Sequence, residues 1–189
     1  MGTSSPRRLT KYCAYVKSQA PVGLREVYWN HSFILSKGFA SWVIQYFFLI
    51  VHEIKDIPAI HPLLIFQVIT KPQIKAMSRF GGNSLGVDER STKKGHHPLH
   101  IPLSAISWQN AEDDKRVYEF IAGFYTALSA KAEAMAVKNN FVYMNYASQF
   151  RDAISSYGAN NRERLQEIAS KYDPLKVFEK LQPGYFKLI

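Results

Sequence analysis

The strongest constraint on the fold of this chain is a long amphipathic stripe between residues 117 and 132. Its apolar residues recur every three or four positions, which is the period of one helix face. They are Val117, Phe120, Ile121, Phe124, Leu128 and Ala132. Asn110 is expected to cap this helix, which should end near residues 139–140. A helix with one apolar face needs a matching surface, so the rest of the chain must provide one.

A second helical stripe precedes it. Phe39, Val43, Phe47, Ile50 and Ile54 recur at spacings of four, four, three and four. This pattern predicts a helix that ends before a proline, because proline disfavours helical geometry in the residue before it.

Three segments have the pattern of β-strands. Residues 24–35 alternate loosely, with apolar side chains at odd positions, and residues 100–108 alternate in a similar way. Residues 63–70 are apolar, rich in β-branched residues and bounded by prolines, which predicts a central strand. Residues 73–80 are expected to form a further strand, and residues 84–87 a brief edge strand after the turn at 81–83.

These elements predict an α+β fold: a mostly antiparallel sheet with helices packed on one face, followed by a C-terminal loop, helix and tail. The last helix should begin near Asn160, bury Leu165 and Ile168, and stop before Pro174. We expect three parts: a basic, poorly ordered leader at 1–24, an α+β domain at 25–140, and a C-terminal segment at 141–189. The uncovered face of the sheet would be free to receive a cofactor, a protein partner or a second copy of the chain.

Composition excludes some classes of function. The net charge is +9, and residues 1–38 carry five of those charges. No basic stretch alternates regularly with aromatics as a base-stacking surface requires, so we expect no nucleic-acid partner. The longest apolar run, residues 42–51, is half the length of about 20 residues that a membrane span needs. Cys13 is the only cysteine, so intrachain disulfides are impossible and the compartment is undecided.

Two groups of side chains could bind metal, and we expect neither to do so. His96, His97 and His100 follow two acidic residues, but their spacing is typical of a solvated loop. The acidic residues 112–114 lie where carboxylates stabilise a helix N-terminus, which already explains them.

The segment most suited to chemistry is the aromatic loop Phe141–Ala147. Two tyrosines flank an amide there, an arrangement that offers a flat surface together with hydrogen bonds. Tyrosine pairs are also common core residues with satisfied hydroxyls, so composition leaves both interpretations open.

A series of landmarks gives this loop a context. In order they are Asn145-Tyr146-Ala147, Tyr157-Gly158, Asn160, Tyr172-Asp173-Pro174, Phe178 and Gly184-Tyr185-Phe186-Lys187-Leu188. Together they resemble the C-terminal end of berberine-bridge-type FAD-linked oxidoreductases, especially the fungal members. The tail departs slightly, because Gly184-Tyr185 stands where fungal members usually have two glycines. Weaker upstream landmarks resemble the substrate domain of the same enzymes: Phe66-Gln67, residues 81–86, Ser107-Trp108 and Asp113-Asp114.

The resemblance implies FAD as cofactor and a small alcohol, amine or sugar as substrate. It implies that Asn145 and Tyr146 lie near the flavin ring, that Tyr143 lies near the substrate, and that one of the two tyrosines takes the substrate's proton. Gln67 could point at the substrate or be hydrogen-bonded within the sheet.

One part of the family's flavin site has no counterpart in this sequence. The family's flavin domain contributes a phosphate-binding loop, and no Gly-rich loop followed by histidine occurs in these 189 residues. We therefore expect this chain alone to lack full FAD binding, with Cys13 an ordinary residue. The alternative function is a non-catalytic α+β module whose exposed sheet face binds a protein. The identity of the substrate cannot be read from the residues.

Overall fold

The computed structural model of the chain describes residues 22–88, 97–182, 184 and 186–188. This part of the chain holds four β-strands and five α-helices. The strands are β1 (Arg25–Asn30), β2 (Phe33–Ile34), β3 (His61–Ile69) and β4 (Leu99–Trp108). The helices are α1 (Lys37–Ile50), α2 (Lys71–Met77), α3 (Asp114–Ala134), α4 (Ala159–Tyr172) and α5 (Val177–Leu181). The predicted leader at residues 1–24 lies almost entirely outside the described residues.

The sheet is antiparallel at every pairing, and β4 is its central strand. β1 and β2 pair with β4 along one edge, and β3 pairs with it along the other. The predicted α+β class is therefore confirmed. The prediction that residues 63–70 form a central strand was wrong, because β3 has only one strand neighbour among the described residues. Leu64 and Phe66 pack against the helix-covered core, whereas Leu63 and Ile65 stay partly exposed.

One face of the sheet is closed by the two long helices. α1 and α3 pack on it through the two predicted apolar stripes, and Val27, Trp29 and Ile106 of the sheet join the same core. A buried tyrosine ties these layers together. The Tyr125 hydroxyl accepts the backbone N–H of Ser104 at 3.0 Å and donates to the Trp29 carbonyl at 2.7 Å. This face is the hydrophobic core of the molecule.

The other face is covered only at one end. A second apolar cluster forms there around Leu99 and Ile101 of β4, against Ile74 of α2, Phe141 and Tyr157. The C-terminal segment therefore packs on the same sheet as the preceding domain. Beyond this cluster the face is open: Leu63 and Ile65 of β3 remain about two-fifths exposed.

Several predicted boundaries differ from the structure. Residues 73–80 are not a strand, because Thr70 and Gln73 form a capping box and Pro72 lies in the first turn of α2. Residues 84–87 are not a strand either, and residues 84 and 85 form a turn. α3 ends at Ala134, earlier than predicted, because Ala136 adopts a left-handed conformation with φ of 55°. The Asn110 side chain makes no capping hydrogen bond.

The C-terminal elements follow the predicted order. α4 spans Ala159–Tyr172, so it begins next to the predicted Asn160 and ends before Pro174. Leu165 packs against the second cluster as predicted, but Ile168 is not buried, since it is 44% exposed. The Asp173 carboxylate accepts the backbone N–H groups of Val177 and Phe178 at 2.7 and 2.9 Å, which fixes the start of α5.

Candidate functional site

The aromatic loop is attached to the sheet by its backbone. The Asn30 amide, fully buried at the end of β1, donates to the Tyr143 carbonyl at 2.9 Å and accepts the Tyr143 N–H at 3.0 Å. The Val142 N–H donates to the Ser156 hydroxyl at 3.0 Å. Residues 144–146 then form one turn of 3₁₀ helix. Because residues 142 and 143 are held directly before this turn, the side chains that follow have a defined position at the edge of the open face.

The two predicted tyrosines lie side by side. The rings of Tyr143 and Tyr146 are 5.2 Å apart at 76°, the edge-to-face arrangement that aromatic pairs prefer. Both are partly exposed, and Tyr143 also packs against the second apolar cluster. The Asn145 amide between them is exposed and donates to the Tyr143 hydroxyl at 2.7 Å. All three residues of the predicted loop are therefore together at the surface.

Gln67 joins this group from the sheet. Its side-chain amide donates to the Tyr146 hydroxyl at 3.3 Å. The sequence left two interpretations of Gln67 open. The hydrogen bond of its side chain is made to the aromatic loop and not to another residue of the sheet. The residue instead connects β3 to the aromatic loop across 79 positions of sequence.

Tyr28 was missed by the sequence analysis. It follows Val27 and precedes Trp29, both on the closed face, so alternation directs its side chain to the open face. Its pKa is raised by burial and then by the nearby Glu26 and Tyr146. The alternation in residues 24–35 was the signal that could have found it, since the even positions had to face the other way.

The pattern of donors decides what the two hydroxyls can do. Each tyrosine oxygen accepts a hydrogen bond from a neutral side-chain amide, Asn145 for one and Gln67 for the other. The hydroxyl hydrogens therefore remain available to donate to a bound oxygen or nitrogen. Flat rings, two hydroxyls and two amides at an apolar, solvent-facing sheet surface fit the edge and face of an isoalloxazine ring.

The glycine-containing segment 81–86 does not resemble a phosphate cradle. Gly86 has φ of 67°, and a Cβ there would lie 2.2 Å from the Tyr157 carbonyl oxygen. This glycine therefore allows close backbone packing against the turn that precedes α4.

In residues 22–88 and the parts described from 97 onward, no group of three or more potential metal-ligand side chains is present. His100 is buried against Phe66 in an imidazole–phenyl stack, while His96 and Cys13 lie outside the described residues. None of the described helices is both long and apolar enough to cross a bilayer.

A family model matches the C-terminal part of the chain. Residues 142–183 match the family model described as "Berberine and berberine like". The match begins within the aromatic loop and extends through α4 and α5.

Curated relatives match a larger part of the chain. The FAD-dependent monooxygenase FUP4 of Fusarium proliferatum is 36% identical over 127 residues, covering 67% of this chain and 24% of the relative. The FAD-dependent monooxygenase prx3 of Penicillium roqueforti is 28% identical over 179 residues, covering 89% of this chain and 33% of the relative. The bifunctional solanapyrone synthase of Alternaria solani is 32% identical over 142 residues, covering 71% and 26%.

The chain thus spans between about a quarter and a third of the length of these relatives. No solved structure matches the chain.

Proposed function

We propose that this chain, which carries a berberine-bridge-like region and is related to the FAD-linked oxidoreductases, forms the substrate-facing side of a flavin-dependent oxidation site. Its relatives are named FAD-dependent monooxygenases, which supports FAD as the cofactor and oxygen as the electron acceptor. The substrate is a small alcohol, amine or sugar. The observation that carries the proposal is the exposure of two amide-supported tyrosine hydroxyls on an uncovered sheet face.

Different residues of the site contact the flavin and the substrate. Asn145 and Tyr146 contact the flavin ring, and Tyr143 and Gln67 contact the substrate. A bound flavin supplies the acceptor for the hydride that leaves the substrate carbon. One of the two tyrosine hydroxyls holds the substrate's oxygen or nitrogen by donating a hydrogen bond, and the other, as its phenolate, accepts the substrate's proton as the hydride leaves the carbon.

Side-chain amides hold the two tyrosines in position. Asn145 and Gln67 each donate to one tyrosine oxygen, which orients the hydroxyls toward the open face. Asn30 fixes the backbone of Tyr143 through two hydrogen bonds, so the loop does not need substrate to become ordered. Such preorganisation lowers the cost of ordering the site when a ligand binds.

The test uses riboflavin, which presents the ring without phosphates, and follows the backbone amide signals of the chain by NMR. We expect riboflavin to shift the amides of residues 143–146 and of Gln67. Tyr146→Ala should weaken this binding severalfold, since stacking on an aromatic ring is lost. Phe150→Ala is the matched control, because Phe150 is an exposed aromatic next to the loop that packs against Trp29 and Tyr118. Shifts confined to other surfaces, or equal effects of the two variants, would contradict the proposal.

A second candidate is a non-catalytic interaction module. The exposure of Leu63 and Ile65 on the open face favours it, because adjacent exposed apolar residues mark many protein interfaces. In that case the chain would form a dimer in solution through this face, and Leu63→Asp would make it monomeric by light scattering. A wild-type monomer that binds riboflavin would exclude this candidate.

A further inference from the structure

The outer edge of β3 is a free sheet edge in the described part of the chain, where β4 is its only strand neighbour. The strand is nine residues long and contains no Lys, Arg, Asp or Glu. Natural proteins usually shorten such an edge, interrupt it or place charged side chains on it, because an unprotected edge pairs with other strands. The apolar, β-branched composition of β3 is instead typical of an inner strand.

The hydrogen bonds at the two ends of β4 show which backbone groups face this edge. In a strand, the N–H and C=O of one residue point to the same side, and neighbouring residues point to opposite sides. Directly before β4, the Pro98 carbonyl accepts the Leu35 N–H at 2.9 Å, on the side of β2. Directly after β4, the Gln109 N–H donates to the Pro58 carbonyl at 3.3 Å, on the side of β3. Even-numbered residues of β4 therefore point toward β1 and β2, and odd-numbered residues point toward β3.

The outward-facing residues of β3 are the even-numbered ones, because the register pairs its odd-numbered residues with odd-numbered residues of β4. Leu64, Phe66 and Val68 each present an N–H and a C=O to the edge. Pro62 presents only a C=O, since proline has no N–H. Within the described residues, no other backbone segment bonds to these groups. They therefore need water or another strand as a partner.

The free segment is limited at both ends. The Ile60 N–H donates to the Ile57 carbonyl at 3.2 Å. The Thr70 N–H donates to the Gln73 side chain at 2.8 Å. The next even-numbered donors on either side are thus already used, and the open donors are confined to the strand itself.

A second copy of the same strand, running antiparallel, satisfies all of these donors. With a two-fold axis at Ile65, all nine residues of both strands overlap. Leu64 of each copy then exchanges two hydrogen bonds with Phe66 of the other. The Val68 N–H donates to the Pro62 carbonyl, and the missing N–H of proline leaves only the Val68 carbonyl to water. The edge is therefore complementary to itself.

The side chains that meet across this edge are compatible. On the open face, Ile65 lies beside Ile65 of the second copy, and Leu63 lies beside Gln67 of the second copy. His61, the only titratable side chain of the strand, lies opposite Ile69. No like charges meet, so the pairing carries no electrostatic cost along the edge.

We propose that two copies of this chain pair antiparallel through the outer edges of β3, with a two-fold axis at Ile65, so that the four strands of each copy form one continuous sheet. Pairing makes β3 an inner strand, in agreement with its composition. The open faces of both copies lie on the same side of this sheet and stay uncovered, so a ligand can still reach the aromatic loop. The inference does not depend on the flavin site, and it differs from a dimer that buries the open face.

The first test is a disulfide placed on the axis, with Cys13→Ser in every variant. Ile65→Cys should give a cross-linked dimer on oxidation with diamide, because the two Cα atoms of this non-hydrogen-bonded pair lie about 4.5 Å apart. Leu63→Cys is the matched control, since Leu63 and Ile65 are 41% and 40% exposed on the same face. The two copies of residue 63 lie about 13 Å apart, which is too far for a disulfide. A non-reducing gel measures both, and no cross-link at residue 65, or equal cross-linking of the two variants, would overturn the proposal.

The second test removes one outward N–H from each copy. Proline is tolerated in an edge strand when its nitrogen faces away from the ladder, so Val68→Pro should fold. It should raise the dissociation constant of the dimer at least about 10-fold, because two hydrogen bonds across the axis are lost. Val68→Thr is the matched control, because it keeps both the N–H and the β-branched shape. Light scattering over a dilution series measures the constants, circular dichroism establishes folding, and equal constants in the two variants would contradict the pairing.

Hydrogen exchange in the unmodified chain tests the edge without any variant. The amide hydrogens of Leu64, Phe66 and Val68 should exchange more slowly as the protein concentration rises, since they are hydrogen-bonded only in the dimer. A chain that stays monomeric throughout the dilution series would overturn the proposal. A dimer in which these three amides exchange freely would overturn it too, because its interface would be another surface. Riboflavin binding is measured separately, so the flavin site can fail while the edge pairing stands.

Discussion

The two faces of the sheet differ in how completely they are covered. On the closed face, α1 and α3 bury Trp108, Phe124 and Leu128 almost completely, and a single tyrosine hydroxyl links three parts of the core. On the open face, Tyr28, Leu63 and Ile65 keep about two-fifths of their surface exposed. Both faces are rich in aromatic residues, so composition alone does not distinguish them.

The contrast shows where stability and function are located. On the closed face, the Tyr125 hydroxyl is satisfied by backbone groups, which ties α3 to the sheet. On the open face, the Tyr143 and Tyr146 hydroxyls accept from side-chain amides and keep their hydrogens available. A face that must receive a ligand cannot also supply most of the folding energy, because its apolar surface stays in water until the ligand binds.

Replacing a leucine by alanine should change the free energy of unfolding much more on the closed face than on the open face. Leu128→Ala on α3 should reduce the free energy of unfolding by about 2–5 kcal/mol, because the side chain is fully buried and a cavity remains. Leu63→Ala on β3 should reduce it by about 1 kcal/mol or less, since Leu63 is 41% exposed. Urea denaturation followed by circular dichroism measures both. Equal losses would mean that the open face is covered in solution.

Acid should weaken the molecule through two buried histidines. Burial lowers the pKa of His100 to about 4, and burial followed by the charges of Arg151 and Lys138 lowers that of His31 to about 4. Because these folded-state pKa values lie below the unfolded value of about 6.5, the unfolded state binds more protons as the pH falls. Stability should therefore decrease between about pH 6.5 and 4, by at most about 3 kcal/mol for each histidine.

Urea denaturation at a series of pH values checks this. His100→Leu removes one titrating group from the stack with Phe66 and should flatten the decrease. His52→Leu is the control, because His52 is exposed on the 3₁₀ turn after α1, and it should leave the slope unchanged. A slope that is the same in His100→Leu and in the unmodified chain would contradict the assignment.

The features of the fold and of the site that the sequence predicted are those that depend on residues close together in the chain. The stripes of α1 and α3 were readable because helix periodicity is local, and the alternation in β1 and β4 was readable for the same reason. The helix α2 was missed because its capping box, Thr70 with Gln73, was outweighed by the apolar run before it. Tyr143, Asn145 and Tyr146 were selected from local composition and a family resemblance. The bond from Gln67 to Tyr146 and the anchor from Asn30 to Tyr143 join distant segments, and no local pattern predicts such contacts.

The smallest predicted effects come from removing one tyrosine hydroxyl on each face. Tyr125→Phe should reduce the free energy of unfolding by about 1–3 kcal/mol, because the Ser104 N–H it satisfies is buried and loses its partner. Tyr146→Phe should change it by less than about 0.5 kcal/mol, since water can replace the hydroxyl for the Gln67 amide. The binding of riboflavin should respond in the opposite order, with Tyr146→Phe weakening it and Tyr125→Phe leaving it unchanged. One denaturation series and one titration therefore test both faces, and a Tyr146→Phe variant that loses stability but not binding would reverse the roles assigned to them.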